Sequence, residues 1–231
     1  MLSPIKKKYK YIIKKNMKAI ILGGVGTSKK SIIRTINIYK NEGIKPFFFE
    51  AEGIFGNNLF RPKLYKKKSI DIVKNLKKDE SYILHCFSGS NWLGYTINSK
   101  MPANSIILES SPARPSVSSF QNYIKVDYGI NFNKSIIQSG MNILQIPIDT
   151  SLEFYDWYSR NKPTQNTSIL IGEKDKIIDL DYIKSEYISN KSNNKLITFS
   201  NSGHCNISKR DSELYRKVLK NVILDTKIRS S

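Results

Sequence analysis

Short apolar blocks and mixed polar segments alternate along the chain, at lengths that predict strands followed by helices. The apolar blocks have the length of buried strands, and most end at glycine or serine; they lie at 18–22, 45–50, 82–87, 105–109, 168–171 and 195–199. Between them, apolar residues recur at helical spacing in segments at 28–41, 67–77, 91–98, 151–161, 180–189 and from about 208 onward. The alternation predicts an α/β fold whose mostly parallel central sheet carries helices on both faces.

The length of the chain, 231 residues, suits one domain with a full hydrophobic core. Residues 1–16 form a basic lead-in, and residues 17–225 form the α/β domain. Within that domain, residues 112–165 show weak patterns and are expected to form a small cap, whose candidate pocket walls are Phe120, Tyr123, Phe154, Tyr155 and Trp157. In the last helix, Ser208 and Asp211 are spaced like a capping box. Its buried side is expected to carry Leu214, Val218 and Val222.

The composition is ordinary for a globular protein except in its charge. With 38 basic and 19 acidic residues, the formal net charge is +19. One interpretation is an anionic partner, either nucleic acid or a membrane. The other is a coding sequence rich in A and T, which favours lysine, asparagine and isoleucine together. We favour the second, because the lysines are spread along the chain, and do not expect a nucleic-acid partner. The dense run from Lys6 to Lys10 is either a contact for an anionic membrane or a solvated tail.

The sequence shows none of the usual signals for secretion or membrane insertion. The apolar run at 11–13 is too short for a signal peptide, and no run approaches the roughly 18 apolar residues of a membrane span. Two cysteines give no disulfide framework. We therefore expect an intracellular, cytoplasmic protein, with the lead-in as its one candidate membrane contact.

The segment from His85 to Ser90 carries the strongest candidate for catalysis. It reads His-Cys-Phe-Ser-Gly-Ser and stands where a strand is followed by a helix. A nucleophilic serine at such a turn needs small residues two positions before and two after it, as in G-x-S-x-G. Around Ser88 these are Cys86 and Ser90, whereas centring the motif on Ser90 would put Trp92 at one of them. Ser88 is therefore the candidate nucleophile, and the alternative is a plain Ser-Gly-Ser turn.

A histidine and a carboxylate stand at matching places after later strands. A serine hydroxyl reacts near neutral pH only when a histidine takes its proton and a carboxylate orients that histidine. His85 lies within a predicted strand and is expected to be structural, which leaves His204, just past the last strand. Asp175 follows the preceding strand, with room for one helix and one strand before His204. The order serine, acid, histidine fits this kind of sheet, so we predict a catalytic triad of Ser88, Asp175 and His204.

Glycines near these strand ends are candidates for the oxyanion site of an acyl-transfer enzyme. Backbone N–H donors stabilise the oxyanion, each lowering the barrier by roughly 3 kcal/mol. One donor is expected at Gly89, directly after the candidate nucleophile. The second is expected in the loop after the first strand, at Gly24 or Val25, and the sequence leaves that choice open.

The same loop invites a nucleotide-binding interpretation. Residues 24–31 nearly match the phosphate-binding pattern G-x-x-x-x-G-K-[ST], but Lys29 stands where the second glycine belongs. That glycine matters because the backbone there takes a positive φ and approaches the phosphate closely. No later strand ends in an aspartate suited to Mg²⁺, and no histidines or cysteines have the spacing of a zinc site. We expect neither a metal nor a cofactor, and keep nucleotide binding as a minor alternative.

Several motifs together resemble the transmembrane-protein-53-like α/β hydrolases of eukaryotes. The resemblance covers about residues 17–222 and rests on Gly23-Gly24-Val25-Gly26, Ile38-Tyr39 followed by Gly43, His85-Cys86-Phe87-Ser88, Glu109-Ser110-Ser111-Pro112 and Ser202-Gly203-His204. It implies an α/β-hydrolase fold, and a fold alone does not fix the substrate.

The candidate residues together predict a serine hydrolase of the esterase, lipase or thioesterase type. Ser88 would attack the carbonyl carbon of an acyl ester carried by a small molecule or a lipid. The alternative from a different class is a non-catalytic module of the same fold that binds a lipid or a protein partner.

Overall fold

Six parallel strands form the central sheet of the protein. The structure is a computed structural model that describes residues 17–24, 27–50, 71–74, 76, 80–112, 121–122, 124–126, 129–131, 133, 136, 165–189 and 194–230. The strands are β1 (Lys18–Leu22), β2 (Lys45–Phe49), β3 (Tyr82–Phe87), β4 (Ser105–Glu109), β5 (Thr167–Gly172) and β6 (Lys195–Phe199). Every neighbouring pair in the sheet is parallel. Each strand lies where an apolar block predicted one, which confirms the parallel sheet.

Helices cover both faces of this sheet. They are α1 (Ile33–Asn41), α2 (Asn91–Lys100), α3 (Leu180–Ser189), α4 (Ile207–Arg210) and α5 (Ser212–Arg229). On one face the strands pack against Leu93 of α2 and Ile183 of α3, and on the other against Tyr39 of α1 and Leu219 of α5. These contacts confirm the predicted packing on two faces. They also explain why the inner strands β3 and β5 are buried along their whole length instead of alternating.

The strand order reverses its direction between β1 and β3. The order is β2-β1-β3-β4-β5-β6, so the chain runs outward from β1 to β2 and then crosses back to the other side of β1. In open parallel sheets, ligands bind at such a reversal, outside the carboxyl ends of the strands. Leu22 pairs with Cys86 in the register of β1 and β3. Two residues further on, Gly24 and Ser88 therefore meet just beyond the strand ends.

A polar network is buried beneath this edge, between the sheet and the helices α1 and α5. The Glu109 carboxylate accepts a hydrogen bond of 2.8 Å from the Tyr215 hydroxyl and lies 3.2 Å from His85 Nε2. The other ring nitrogen of His85 lies 3.1 Å from the Tyr39 hydroxyl, and the Tyr215 hydroxyl is 2.8 Å from Thr35 Oγ1. All five side chains are buried. His85 therefore has structural partners in this network, as its place within a strand led us to expect.

The C-terminal helical segment differs from the prediction in two respects. Ser208 and Asp211 do not form a capping box, because Ser208 lies within α4 and Asp211 stands between α4 and α5 without a side-chain cap hydrogen bond. Leu214 is exposed instead of buried, and the buried side of α5 is formed by Tyr215, Leu219, Val222, Ile223 and Thr226. The hydrogen bond from Tyr215 to Glu109 explains how α5 is rotated about its axis, since it turns Tyr215 inward and its neighbour Leu214 outward.

Several predicted segments lie outside the described residues. These are the lead-in at 1–16, the predicted helix at 151–161, and most of the predicted cap at 112–165 with its five aromatic candidates. Of the predicted helix at 67–77, residues 71–74 are described and helical. Within the part of the chain that the structure describes, no helix is both long enough and apolar enough to span a bilayer.

Replacing Glu109 with alanine tests the buried network. We expect Glu109→Ala to lower the free energy of unfolding by about 3 kcal/mol or more, because His85 and Tyr215 each lose a buried partner and each loss costs about 1–3 kcal/mol. The control is Glu213→Ala on the exposed side of α5, which should change it by less than about 1 kcal/mol. Urea denaturation measures both, provided that the m-values agree. Equal stability of the two variants would contradict a structural role for the network.

Candidate active site

The three residues of the predicted triad come together at the carboxyl edge of the sheet. Ser88 follows β3, Asp175 follows β5 and His204 follows β6. The Ser88 hydroxyl lies 3.0 Å from His204 Nε2, and His204 Nδ1 lies 2.9 Å from an Asp175 carboxylate oxygen. Both distances are within hydrogen-bonding range, so one chain of hydrogen bonds links the three side chains. In such an arrangement a histidine can take the serine proton while a carboxylate holds the ring.

Ser88 stands on a strained turn between β3 and α2. Its φ is +51°, in the left-handed region that residues other than glycine rarely adopt. Phe87 before it is still extended, and the 3-10 turn of residues 88–90 leads directly into α2. A residue held in this conformation costs of order 1–3 kcal/mol and persists only where its surroundings fix it. The turn places the hydroxyl beyond the end of β3, as a nucleophilic serine requires.

The positions two before and two after Ser88 are tightly packed, which explains their small side chains. A Cβ at Gly94 would lie 2.4 Å from the Sγ of Cys86, so α2 packs directly on this strand position. Ser90 is fully buried, and its hydroxyl lies 2.8 Å from the Phe87 carbonyl oxygen and 2.9 Å from that of Leu22. Its hydroxyl thereby ties the turn to the end of β1, a contact that glycine could not make.

Gly24 brings the loop after β1 against the turn that carries Ser88. A Cβ at this position would lie 2.6 Å from the Cβ of Ser88 and 2.7 Å from the carbonyl oxygen of Phe87, so only glycine fits without a shift of the backbone. Of the predicted oxyanion donors, Gly24 contacts Ser88 and Gly89 follows it directly, whereas Val25 lies outside the described residues. The oxyanion role of all three stays a prediction, and so does the choice between Gly24 and Val25.

Backbone N–H groups hold the Asp175 carboxylate in place. Its Oδ1 accepts hydrogen bonds from the N–H of Ile177 at 2.9 Å and of Ile178 at 3.0 Å, which leaves Oδ2 for His204. The side chain of Asp175 is 1% exposed, so little water competes for it. The loop that carries Asp175 also contacts the loop that carries His204. The N–H of Lys174 donates to the Ser202 carbonyl oxygen at 2.9 Å. This close approach requires glycine at position 172, where a Cβ would lie 2.2 Å from the same oxygen.

Hydrogen bonds from two directions hold the turn that carries His204. Within the turn, the N–H of Gly203 donates to the side-chain oxygen of Asn206 at 2.8 Å. From the neighbouring strand exit, Ser110 Oγ accepts the N–H of Cys205 at 2.9 Å. Cys205 has a φ of +50°, so the residue after the histidine is also held in the left-handed region. These contacts fix the backbone on both sides of the imidazole.

Two residues that support this turn carry little signal of such a role in their local sequence. Asp211 accepts hydrogen bonds from the Ser202 hydroxyl and from the N–H of Asn201, the latter at 3.2 Å, and so holds the segment before His204. Ser110 supports the other side. The one signal in the sequence is that Ser110 directly follows a strand and therefore lies at the same sheet edge as the triad. Asp211 offers no such signal, because its local spacing indicates a helix cap.

Opposing influences set the pKa of His204. Burial of the ring lowers its pKa, whereas interactions with Cys205 and with the hydrogen-bonded Asp175 carboxylate raise it, and the net pKa lies well above the ordinary 6.5. The ring is 20% exposed. Because only a neutral imidazole can take the serine proton, the reactive fraction of the protein rises with pH through this pKa.

In its described part, the P-loop-like segment at residues 24–31 does not have the geometry of a phosphate-binding loop. Lys30 is exposed, and α1 begins only at Ile33, so this lysine does not stand in the first turn of the helix. The Ser31 hydroxyl donates to the carbonyl oxygen of Ser28 at 2.7 Å. Val25 and Gly26 lie outside the described residues. Among the residues that are described, no group of three or more His, Cys, Asp or Glu side chains could hold a metal ion.

Comparisons with known proteins show the fold of the chain. No family model matches the sequence, and no curated protein matches it. Est1E from Butyrivibrio proteoclasticus is similar over 92% of this chain and 89% of its own, with 14% identity and a TM-score of 0.66. The Pyrococcus furiosus esterase PF2001 is similar over 91% of this chain and 82% of its own, with 13% identity and a TM-score of 0.66. The thioesterase domain from the curacin biosynthetic pathway is similar over 89% of this chain and 91% of its own, with 9% identity and a TM-score of 0.57.

The chain therefore has the α/β-hydrolase fold, as the sequence predicted. Identities this low establish the fold alone, because one fold hosts many activities. The narrower resemblance to the transmembrane-protein-53-like family stays a prediction.

The pKa of His204 gives a prediction for the pH dependence of the ester hydrolysis that the sequence leads us to expect. We expect kcat/KM to rise with pH and to reach half its maximum above pH 6.5, because His204 must first lose its proton. Asp175→Asn should lower this midpoint, since it removes a carboxylate that raises the pKa, and should lower the maximum by about 10³–10⁴-fold. Rates from about pH 5 to about pH 9 measure both effects. The exposed Asp181→Asn is the control, and an unchanged midpoint in Asp175→Asn would contradict the assigned role.

Proposed function

We propose that the protein is a serine hydrolase that cleaves carboxylic esters or thioesters through Ser88, His204 and Asp175. The observation that carries the proposal is the unbroken chain of hydrogen bonds between these side chains, 3.0 Å from serine to histidine and 2.9 Å from histidine to aspartate. Each of the three comes from a different strand end, and each is held by backbone or side-chain contacts of its own. Three turn residues without a shared role would not be expected to lie within hydrogen-bonding distance of one another in this order.

In the first half of the reaction, the Ser88 oxygen attacks the carbonyl carbon of the substrate while its proton passes to His204 Nε2. The Asp175 carboxylate holds the ring through Nδ1 and stabilises the imidazolium that forms. The negative charge on the former carbonyl oxygen is met by backbone N–H groups, of which Gly89 and either Gly24 or Val25 are the proposed donors. The tetrahedral intermediate then collapses, the bond to the leaving alcohol or thiol breaks, and His204 returns the proton to the leaving atom.

In the second half, water replaces the leaving group. His204 takes a proton from the water molecule as it attacks the Ser88 ester, and a second tetrahedral intermediate forms. When this intermediate collapses, the proton returns to the Ser88 oxygen and the carboxylic acid leaves. The cycle balances without any redox step, and it needs no cofactor.

The structural neighbours support an acyl substrate without naming it. PF2001 is described as an esterase and the curacin neighbour as a thioesterase domain, and together with Est1E they share the fold over about nine tenths of this chain. We propose an acyl ester or thioester of a small molecule or a lipid as the substrate class. Contact of the basic lead-in with an anionic membrane, and membership of the transmembrane-protein-53-like family, belong to the same proposal.

A fluorophosphonate probe tests the proposal directly, since it forms a covalent bond with an activated serine. We expect the wild-type protein to be labelled, Ser88→Ala to show no labelling, and its ester hydrolysis to fall by at least about 10⁴-fold. The matched control is Ser99→Ala, an exposed serine on the following helix α2, which should react like the wild type.

Absence of labelling in the wild-type protein would contradict the proposal. If the folded wild-type protein takes up no probe over a range of pH, Ser88 is not an activated nucleophile. The protein would then be a non-catalytic module that uses the fold to bind a lipid or a protein partner.

A further inference from the structure

Ser111 lies next to the nucleophile turn, just past the end of β4. Its hydroxyl is 2.7 Å from the Ser88 carbonyl oxygen and 3.3 Å from the carbonyl oxygens of Cys86 and Glu109. A hydroxyl has one proton to donate, and only the first contact has the ordinary length of an O–H···O hydrogen bond. The side chain is buried, so water does not compete for the proton. Ser111 therefore donates to the carbonyl oxygen of Ser88.

That carbonyl oxygen belongs to the same planar peptide unit as the N–H of Gly89. A hydrogen bond that fixes the direction of the carbonyl therefore also fixes the direction of the N–H, which points the opposite way. The bond also draws electron density towards the carbonyl oxygen, and such polarisation strengthens the next hydrogen bond in a chain by about 10–30%. The Gly89 N–H, which is the proposed oxyanion donor, thus becomes both better aimed and more acidic.

We propose that Ser111 is a positioning residue for oxyanion stabilisation. Its hydroxyl holds and polarises the peptide between Ser88 and Gly89, so that the Gly89 N–H meets the charge that develops on the substrate oxygen. This proposal rests on the proposed hydrolase function and adds a residue to it. Ser111 acts through the backbone of the turn and through no direct contact with the substrate or the imidazole.

Ser111 suits this role because its own position is fixed from both sides. The N–H of Ser110 donates to the Leu170 carbonyl oxygen at 2.8 Å. On the other side, the carbonyl oxygen of Pro112 accepts a 2.6 Å hydrogen bond from the side chain of Asn91. A group that orients a catalytic donor is effective when packing and hydrogen bonds hold the group itself in place. The end of β4 is thereby tied to β5 on one side and to the first residue of α2, directly after the Ser88 turn, on the other.

The substitution Ser111→Ala removes the hydroxyl and tests the proposal. We expect kcat for a p-nitrophenyl ester and the rate of labelling by a fluorophosphonate both to fall about tenfold, since a misdirected oxyanion donor loses part of its effect. KM should stay unchanged, because the bond matters most in the transition state. The pH midpoint should also stay unchanged, because His204 and Asp175 keep their contacts.

The matched control is Ser105→Ala, which removes another buried serine hydroxyl from the opposite end of β4. It should leave kcat within about twofold of the wild type, so that a loss specific to Ser111→Ala cannot come from general loosening of the strand. A second variant, Ser111→Cys, keeps a weaker donor in the same place and should give an intermediate rate. It also serves if Ser111→Ala does not fold.

The outcomes separate this proposal from the one on which it rests. A wild-type protein that takes up no probe would refute the hydrolase function itself. A wild type that is labelled at Ser88, with Ser111→Ala and Ser111→Cys reacting at the wild-type rate, would overturn only the role of Ser111. A tenfold loss that also shifts KM and the pH midpoint would overturn it as well, because it would show a general distortion of the site.

Discussion

The left-handed turn at Ser88 is the constraint on which the candidate active site at the carboxyl edge of the sheet depends. With φ at +51°, it costs of order 1–3 kcal/mol, and a buried hydrogen bond contributes about 1 kcal/mol. Two buried serine hydroxyls around it, those of Ser90 and Ser111, together contribute about 2 kcal/mol, which is of the same order as the strain. Gly24 has no side chain, and a Cβ at that position would collide with the turn. If the turn relaxed to an ordinary conformation, the Ser88 hydroxyl would leave its 3.0 Å contact with His204.

The end of β4 couples this turn to the remainder of the fold. Three successive residues reach in three directions: Glu109 into the buried network, Ser110 to the backbone beside His204, and Ser111 to the backbone of Ser88. The turns that carry Ser88 and His204 are therefore both held by the end of β4, which is part of the sheet and is linked through Glu109 to the helices α1 and α5. Rigid support of this kind keeps the hydrogen-bonded side chains within reacting distance of one another.

The sequence could predict the sheet, the turn and the order of the triad, because each has a local signal. Apolar blocks mark the strands, small residues mark the turn, and strand ends in a parallel sheet meet at one edge. Supporting contacts have no such signal, since they join residues far apart in the chain. Asp211 has the local spacing of a helix cap yet holds the histidine turn, and the phase of α5 follows from a bond between Tyr215 and Glu109, 106 positions apart. Ser111, read locally, is only a serine before a proline.

If the protein is a serine hydrolase of this kind, Ser88 carries the acyl group during turnover, and that group can be located directly. The protein is mixed briefly with excess p-nitrophenyl acetate, quenched in acid and digested with trypsin, which releases residues 79–100 as one peptide. We expect fragmentation of this peptide by mass spectrometry to place the acetyl group on Ser88. Ester turnover with acetyl groups found only on lysines or on Cys205, and none on Ser88, would contradict it.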